Sequence, residues 1–163
     1  DLIRAAEHLV SITMDISEFI DAHCDWLPEF PPFEYEKVRV TYHDPCHLAK
    51  GQGVSVQPRH LLKLLPNIEF VEMNEANRCC GGGGEYQIEY GEMSALITDH
   101  KVENVLKTGA GFVATGRPGC NITIGAHSAK DNVKTIHTVE LIQMALDGKR
   151  PVVMRTALSQ EVL

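Results

Sequence analysis

No apolar run in this chain approaches the roughly 18 residues that a membrane-spanning helix needs. Basic residues are not in surplus either. Lys and Arg number 15 against 22 Asp and Glu, and the net charge of −7 with histidines neutral argues against a nucleic-acid surface. There is no basic stretch ahead of an apolar one at the start, so no secretory signal is expected, and a chain beginning at Asp1 is expected to be a fragment or a processed product. The Cys-x-x-Cys knuckles usual in structural zinc sites are missing. So are the Gly-x-x-x-x-Gly-Lys-Ser/Thr phosphate loop and the distant acid of dinucleotide folds. Without a secretory signal, the 5 cysteines are expected to be reduced in the cytoplasm, binding or reacting rather than cross-linking.

What the chain does have is Arg78-Cys79-Cys80-Gly81-Gly82-Gly83-Gly84, halfway along. Neighbouring side chains on an extended backbone point opposite ways, so two adjacent cysteines do not both serve one core. Four glycines carry a considerable entropic cost on folding, which a chain accepts where its backbone must come close to a ligand, a metal group or another backbone. Cys46 precedes this stretch and Cys120 follows it. The expectation is that Cys46, Cys79, Cys80 and Cys120 converge on one inorganic site, with Cys24 left over as a small apolar residue.

Periodicity supplies the frame. Leu2, Ala5, Leu9, Ile12, Ile16 and Phe19 form one apolar stripe over residues 1–23, a helical arm with a break near Asp15, where Glu18 would complete a capping box. Trp26 is expected to pack. Residues 28–36 are a proline-rich linker, so 1–36 stands before a compact domain at 37–148, with a tail at 149–163. Within the domain, strands are expected at 38–42, 68–73, 111–115 and 133–137, and helices at 58–65, 93–107, 122–130 and 139–146. A weak strand signal lies at Pro151–Met154. Strand and helix alternating four times imply an α/β fold, an open and mainly parallel four-stranded sheet flanked by helices. In such sheets the loops after the strand C-termini form the ligand crevice. Three of those loops carry Cys46, Cys79 with Cys80, and Cys120, and the fourth strand ends at His137.

Thiolates select iron–sulfur clusters, zinc or copper(I). A cluster also wants backbone amides near its sulfides, which Gly81 and Gly82 would allow. Zinc on three of the thiols and a histidine is an alternative, as is thiol redox chemistry at the vicinal pair Cys79–Cys80. His43, His47 and His137 are candidates for hydrogen bonding to the bound group or for ligation, against the simpler reading that each satisfies loop backbone. Arg117 and Arg78 would bring positive charge beside an anionic cluster and raise its potential.

Several separated blocks make the sequence resemble a known family. Thr41-Tyr42-His43-Asp44-Pro45-Cys46-His47-Leu48, Cys79-Cys80-Gly81-Gly82, Ala114-Thr115-Gly116-Arg117-Pro118-Gly119-Cys120 and His137-Thr138-Val139-Glu140-Leu141 are similar to the cysteine-rich CCG domain found in heterodisulfide reductases and related electron-transfer proteins. Within the family the likeness is to the second such domain of glycolate oxidase iron–sulfur subunits. The family pattern closes with Cys-x-x-Cys, and this chain has Arg117 where the first of that pair would stand. The resemblance implies a bound iron–sulfur cluster, of the [4Fe–4S] class, held by Cys46, Cys79, Cys80 and Cys120. It implies an electron-transfer domain of a glycolate or related 2-hydroxy acid oxidising complex, with flavin-containing partner subunits and a quinone-type acceptor at the inner face of the membrane. The missing thiol leaves the cluster type open, with zinc and a purely structural, docking role as alternatives. No complete active site for the flavin chemistry is present.

Overall fold

The computed structural model describes residues 1–151, apart from the Trp26 side chain. Of the weak strand signal at Pro151–Met154, all but Pro151 lies outside the described residues. Four strands form one parallel sheet: β1 (Val38–Tyr42), β2 (Ile68–Phe70), β3 (Phe112–Thr115) and β4 (Lys134–His137), in the order β2-β1-β3-β4. Register is continuous across the middle, with Val40 opposite both Phe70 and Phe112, and Ala114 opposite both Tyr42 and Ile136. The expected α/β class and parallel sheet are therefore present. The connections run through α3 (Val56–Leu64) between β1 and β2, the short α4 (Tyr86–Glu89) and α5 (Gly91–Leu106) between β2 and β3, and α6 (Pro118–Ser128) between β3 and β4. After β4, α7 (Thr138–Leu146) closes the domain.

Both faces of the central strands are covered, so β1 and β3 are buried nearly throughout, Arg39 alone being exposed. One core packs Val40, Tyr42, Leu61, Leu62, Ile136 and Leu141 between the sheet, α3 and α7. The second lies on the other face and joins Met73, Val102, Val105, Val113 and Ile124 with Cys80 and Cys120. Two of the metal-ligand candidates are thus part of a core.

At the N-terminus, α1 (Leu2–Ile12) and α2 (Ile16–Ala22) are separate helices. The break has the expected cause: the Asp15 carboxylate accepts the Ser17 N–H at 2.8 Å while the Asp15 N–H donates to Glu18 at 3.0 Å. The apolar stripe read across both helices does not translate into burial, since α1 buries none of its residues. By contrast Ile20, Phe30, Phe33 and Tyr35 pack on the first core, and the Tyr35 hydroxyl donates to the Lys149 carbonyl at 2.7 Å.

Cutting Leu62 to Ala removes a fully buried side chain from the first core and should cost about 2–5 kcal/mol in urea unfolding. Val56→Ala, on the 71% exposed end of the same helix, should change stability by less than about 0.5 kcal/mol.

Candidate metal centre

Leaving β1, the chain moves to one side of the sheet for β2. Leaving β2, it crosses back over β1 to β3. The strand order therefore reverses between β1 and β3, and the crevice at their C-terminal ends is where parallel sheets hold ligands. His43, Asp44, Pro45 and Cys46 leave β1 at this crevice, and the His43 N–H still continues the ladder by donating to the Ala114 carbonyl at 2.9 Å. From β3 the chain reaches Arg117 and Cys120. The Cys79–Cys80 stretch belongs to the β2–β3 crossover and is laid across the same place.

One placement differs from expectation. Cys120 is not in a loop, because α6 begins four residues earlier than the apolar pattern suggests. Pro118 sits in its first turn, where a fixed φ and a missing N–H cost nothing, so Cys120 rides on the opening turn of a helix. Cys46 similarly leads into a π-helical turn, His47–Gln52, which Gly53 ends in the left-handed conformation.

Among the described residues, His43, Cys80 and Cys120 form the one group of three metal-ligating side chains, their donor atoms all within 4.8 Å of one another. They are 1%, 4% and 5% exposed. Cys80 and Cys120 are hydrogen-bonded to each other. The hydrogen bond from Cys120 lowers the Cys80 thiol to about 4, with help from His43 and the Gly82 backbone against the opposing effect of burial. The same bond, with burial, pushes Cys120 well above the ordinary thiol range. Cys46 and Arg117 act on Cys120 in opposite senses, negative charge raising it and the guanidinium lowering it. Cys46 itself is half-buried. Cys79 is exposed and accepts the Gly81 N–H at 3.4 Å.

The loop bearing Cys79 and Cys80 is gripped by one polar face of α5. Ser94 donates to the Gly81 carbonyl at 2.9 Å and Thr98 to the Cys80 carbonyl at 2.8 Å. Lys101, fully buried, donates to the Glu75 and Ala76 carbonyls at 2.6 and 3.2 Å. Burial lowers its ammonium to about 8, while the negative charge of Cys80, Asp44, Glu75 and Cys79 works the other way. Glu75 has a φ of 53°, uncommon for a residue with a side chain. Its carboxylate is tied to His100, Asn104 and Arg78, so the turn before Cys79 is fixed from both backbone and side chain. Residue 81 approaches α5 so closely that a Cβ there would lie 2.6 Å from the Ser94 carbonyl oxygen, at a φ of +88°. On the neighbouring Gly82 it would lie 2.9 Å from the Thr123 Cβ of α6. These glycines seat the loop between two helices, a tighter demand than access to a bound group.

Asp44 is held away from the thiols. Arg59 of α3 binds it with two bonds of 2.7 Å and also pairs with Glu72 at 2.7 and 2.8 Å. The remaining residues expected at the site divide clearly. His47 is exposed, and His137 uses Nδ1 to accept the Val139 N–H at 3.3 Å, capping α7. Arg117 is half-buried at the start of α6. Sequence reasoning did not single out Ser94, Thr98, Lys101, Arg59 or Asp44. For the first three a signal existed: polar residues at 94, 98 and 101 share one face of a helix otherwise read only for its apolar positions. Leu96 and Leu106 of the same helix are exposed.

A profile of the CCG cysteine-rich domain matches residues 40–125, more than half of the chain. The chain belongs to the CCG cysteine-rich domain family. The CCG chain is 38% identical over 135 residues to one subunit of the fumarate reductase (CoM/CoB) of Methanothermobacter marburgensis, covering 81% of this chain and 27% of that protein. It is 34% identical over 112 residues to one subunit of the dihydromethanophenazine:CoB–CoM heterodisulfide reductase of Methanosarcina barkeri, covering 66% and 27%. A probable glycolate oxidase iron–sulfur subunit of Bacillus subtilis is 38% identical over 114 residues, covering 68% and 26%. The chain thus spans about a quarter of the length of these curated relatives. Among the described residues of the CCG chain no helix is long and apolar enough to cross a membrane.

Gly81→Ala should lower stability by at least about 2 kcal/mol, read by urea unfolding, because it combines a left-handed φ with a clash against backbone. The lowered Cys80 thiol makes a second prediction. Between about 4 and the ordinary thiol value of about 8.5, the unfolded chain binds a proton that the folded chain does not. That stabilisation is complete above about pH 8.5 and is lost as pH falls towards 4. With reductant and chelator present, the urea midpoint should therefore rise from pH 5 to pH 8 more steeply in the wild type than in Cys80→Ala.

Proposed function

We propose that this CCG chain is an electron-transfer domain of an oxidoreductase complex, holding an iron–sulfur cluster at the crevice between β1 and β3. The observation that carries the reading is the convergence of two buried, hydrogen-bonded thiols with His43 at that crevice, Cys46 beside them and Cys79 on the adjoining residue. Soft thiolates suit such a cluster. Two peptide N–H groups already serve the cysteine sulfurs, Gly81 on Cys79 and Gly82 on Cys80. Cys46, Cys79, Cys80 and Cys120 would hold the group, which supplies one-electron transfer when bound. The protein excludes water around Cys80 and Cys120, fixes the loop through α5, and places the positive charge of Lys101 and Arg117 near the thiolates. Both charges favour the reduced, more negative state of a bound centre.

The relatives are named as subunits of reductases and of an oxidase, which supports the electron-transfer reading. On the finer reading, the parent complex oxidises glycolate or a similar 2-hydroxy acid on flavin-containing subunits. This domain then relays electrons towards a quinone-type acceptor, on the cytoplasmic side of a membrane that no described helix spans. A second reading, a single zinc ion in a structural module, is favoured by one observation. Donors within 4.8 Å of one another stand near the spacing of ligands on one ion, whose bonds are about 2.0–2.3 Å long.

Metal and sulfide analysis with an optical spectrum, on protein purified without oxygen, separates the two. Several irons and sulfides per chain are expected, lost in Cys80→Ser and Cys120→Ser and kept in Cys24→Ser. One zinc and no sulfide would replace the electron-transfer reading with the structural one.

A further inference from the structure

His43 is the anomaly of the site. Its ring is 1% exposed, and neither ring nitrogen has a hydrogen-bond partner nitrogen or oxygen among the described residues. Leaving a buried polar atom unpaired costs about 1–3 kcal/mol, and native structures rarely tolerate it without a use. The usual acceptors nearby are already engaged. Both oxygens of Asp44 are taken by Arg59, and the Glu75 and Ala76 carbonyls by Lys101. The backbone fixes the ring's origin, because the His43 N–H is bound to Ala114 and the Asp44 N–H to the Ala76 carbonyl at 3.1 Å. What the ring does face is the pair of sulfurs of Cys80 and Cys120.

We propose that His43 is a direct nitrogen ligand of the metal centre, alongside Cys80 and Cys120. The inference rests on the reading of this crevice as a metal site, and it assigns the nitrogen a role that the four cysteines do not cover. Of those four, only Cys80 and Cys120 are buried, while Cys79 is exposed and Cys46 half-buried. Arg117 stands where a further thiol would otherwise be offered, and a guanidinium is no ligand. A centre placed against the buried thiols therefore has one remaining buried donor in reach, a neutral imidazole, which suits iron and zinc alike. Coordination takes up one unpaired nitrogen.

The competing role is a hydrogen bond from His43 to a thiolate, and the test is built to separate the two. The full chain, labelled with ¹⁵N-histidine, is loaded without oxygen with ferrous iron and sulfide, reduced, and studied by pulsed EPR. The expected result is a strong ¹⁵N coupling of the size of a coordinated imidazole. It should vanish in His43→Ala and in His43→Cys, with His43→Cys keeping its iron and sulfide. Iron-loaded protein without that coupling, or with it unchanged in His43→Ala, overturns the ligand assignment and leaves the iron–sulfur reading standing. Wild-type protein that takes up no iron overturns the iron–sulfur reading instead, and cobalt(II) then decides on His43. A ligand should shift the visible cobalt bands and, when replaced by Ala, weaken cobalt binding by more than about 100-fold, beyond the 10–100-fold typical of an outer partner. Unshifted bands with a smaller loss would refute it. Circular dichroism of each variant excludes unfolding as the cause.

Discussion

The close approach of residues 80–82 to α5 and α6 is the constraint on which the rest of the site depends. Without it the crossover from β2 to β3 would pass over the sheet as an ordinary loop. Two glycines allow the approach, and Ser94, Thr98 and Lys101 hold the loop by bonding the carbonyls of Gly81, Cys80, Glu75 and Ala76. Cys80 is thereby driven into the core on one face of the sheet, while Cys79, one residue away, stays in solvent. The rule that adjacent side chains diverge becomes a division of labour: one thiol is built in, the other is presented at the surface.

The strand order completes the assembly. A parallel sheet with order β2-β1-β3-β4 has its reversal between β1 and β3, so the segments leaving those two strands part there and open a crevice. His43 and Cys46 arrive from one strand and Cys120 from the other, with the glycine-seated loop laid between them. The two buried thiols are hydrogen-bonded to each other, and a buried lysine stands behind the loop. An arrangement with this much negative charge potential inside a core is costly unless something cationic occupies it. Lys101 meets part of that cost, and a metal centre would meet the remainder.

Much of this was legible in the sequence because the governing signals are local. Thr41-Tyr42 running into His43-Asp44-Pro45-Cys46 marked a strand end, and the alternation of β-branched runs with helical ones gave the parallel sheet. The capping box at Asp15 was visible for the same reason. What escaped was set by tertiary packing. The four polar residues that fix the site from helices, Arg59, Ser94, Thr98 and Lys101, look like solvated positions until the partner loop and strand are placed over them. Cys120 was assigned to a loop because its apolar neighbours begin at Ile122, whereas the helix is started by Pro118. The stripe on α1 met the periodicity of a buried helix and yet is exposed, since periodicity reports a face and not what covers it.

Whether this crevice holds a polynuclear iron centre is tested most directly by X-ray absorption at the iron edge, on the full chain loaded without oxygen. The expected result is sulfur in the first shell and a second shell of neighbouring iron atoms, both lost in Cys80→Ser. A first shell of sulfur and nitrogen with no iron neighbour would contradict it, and would make the crevice the seat of a single ion.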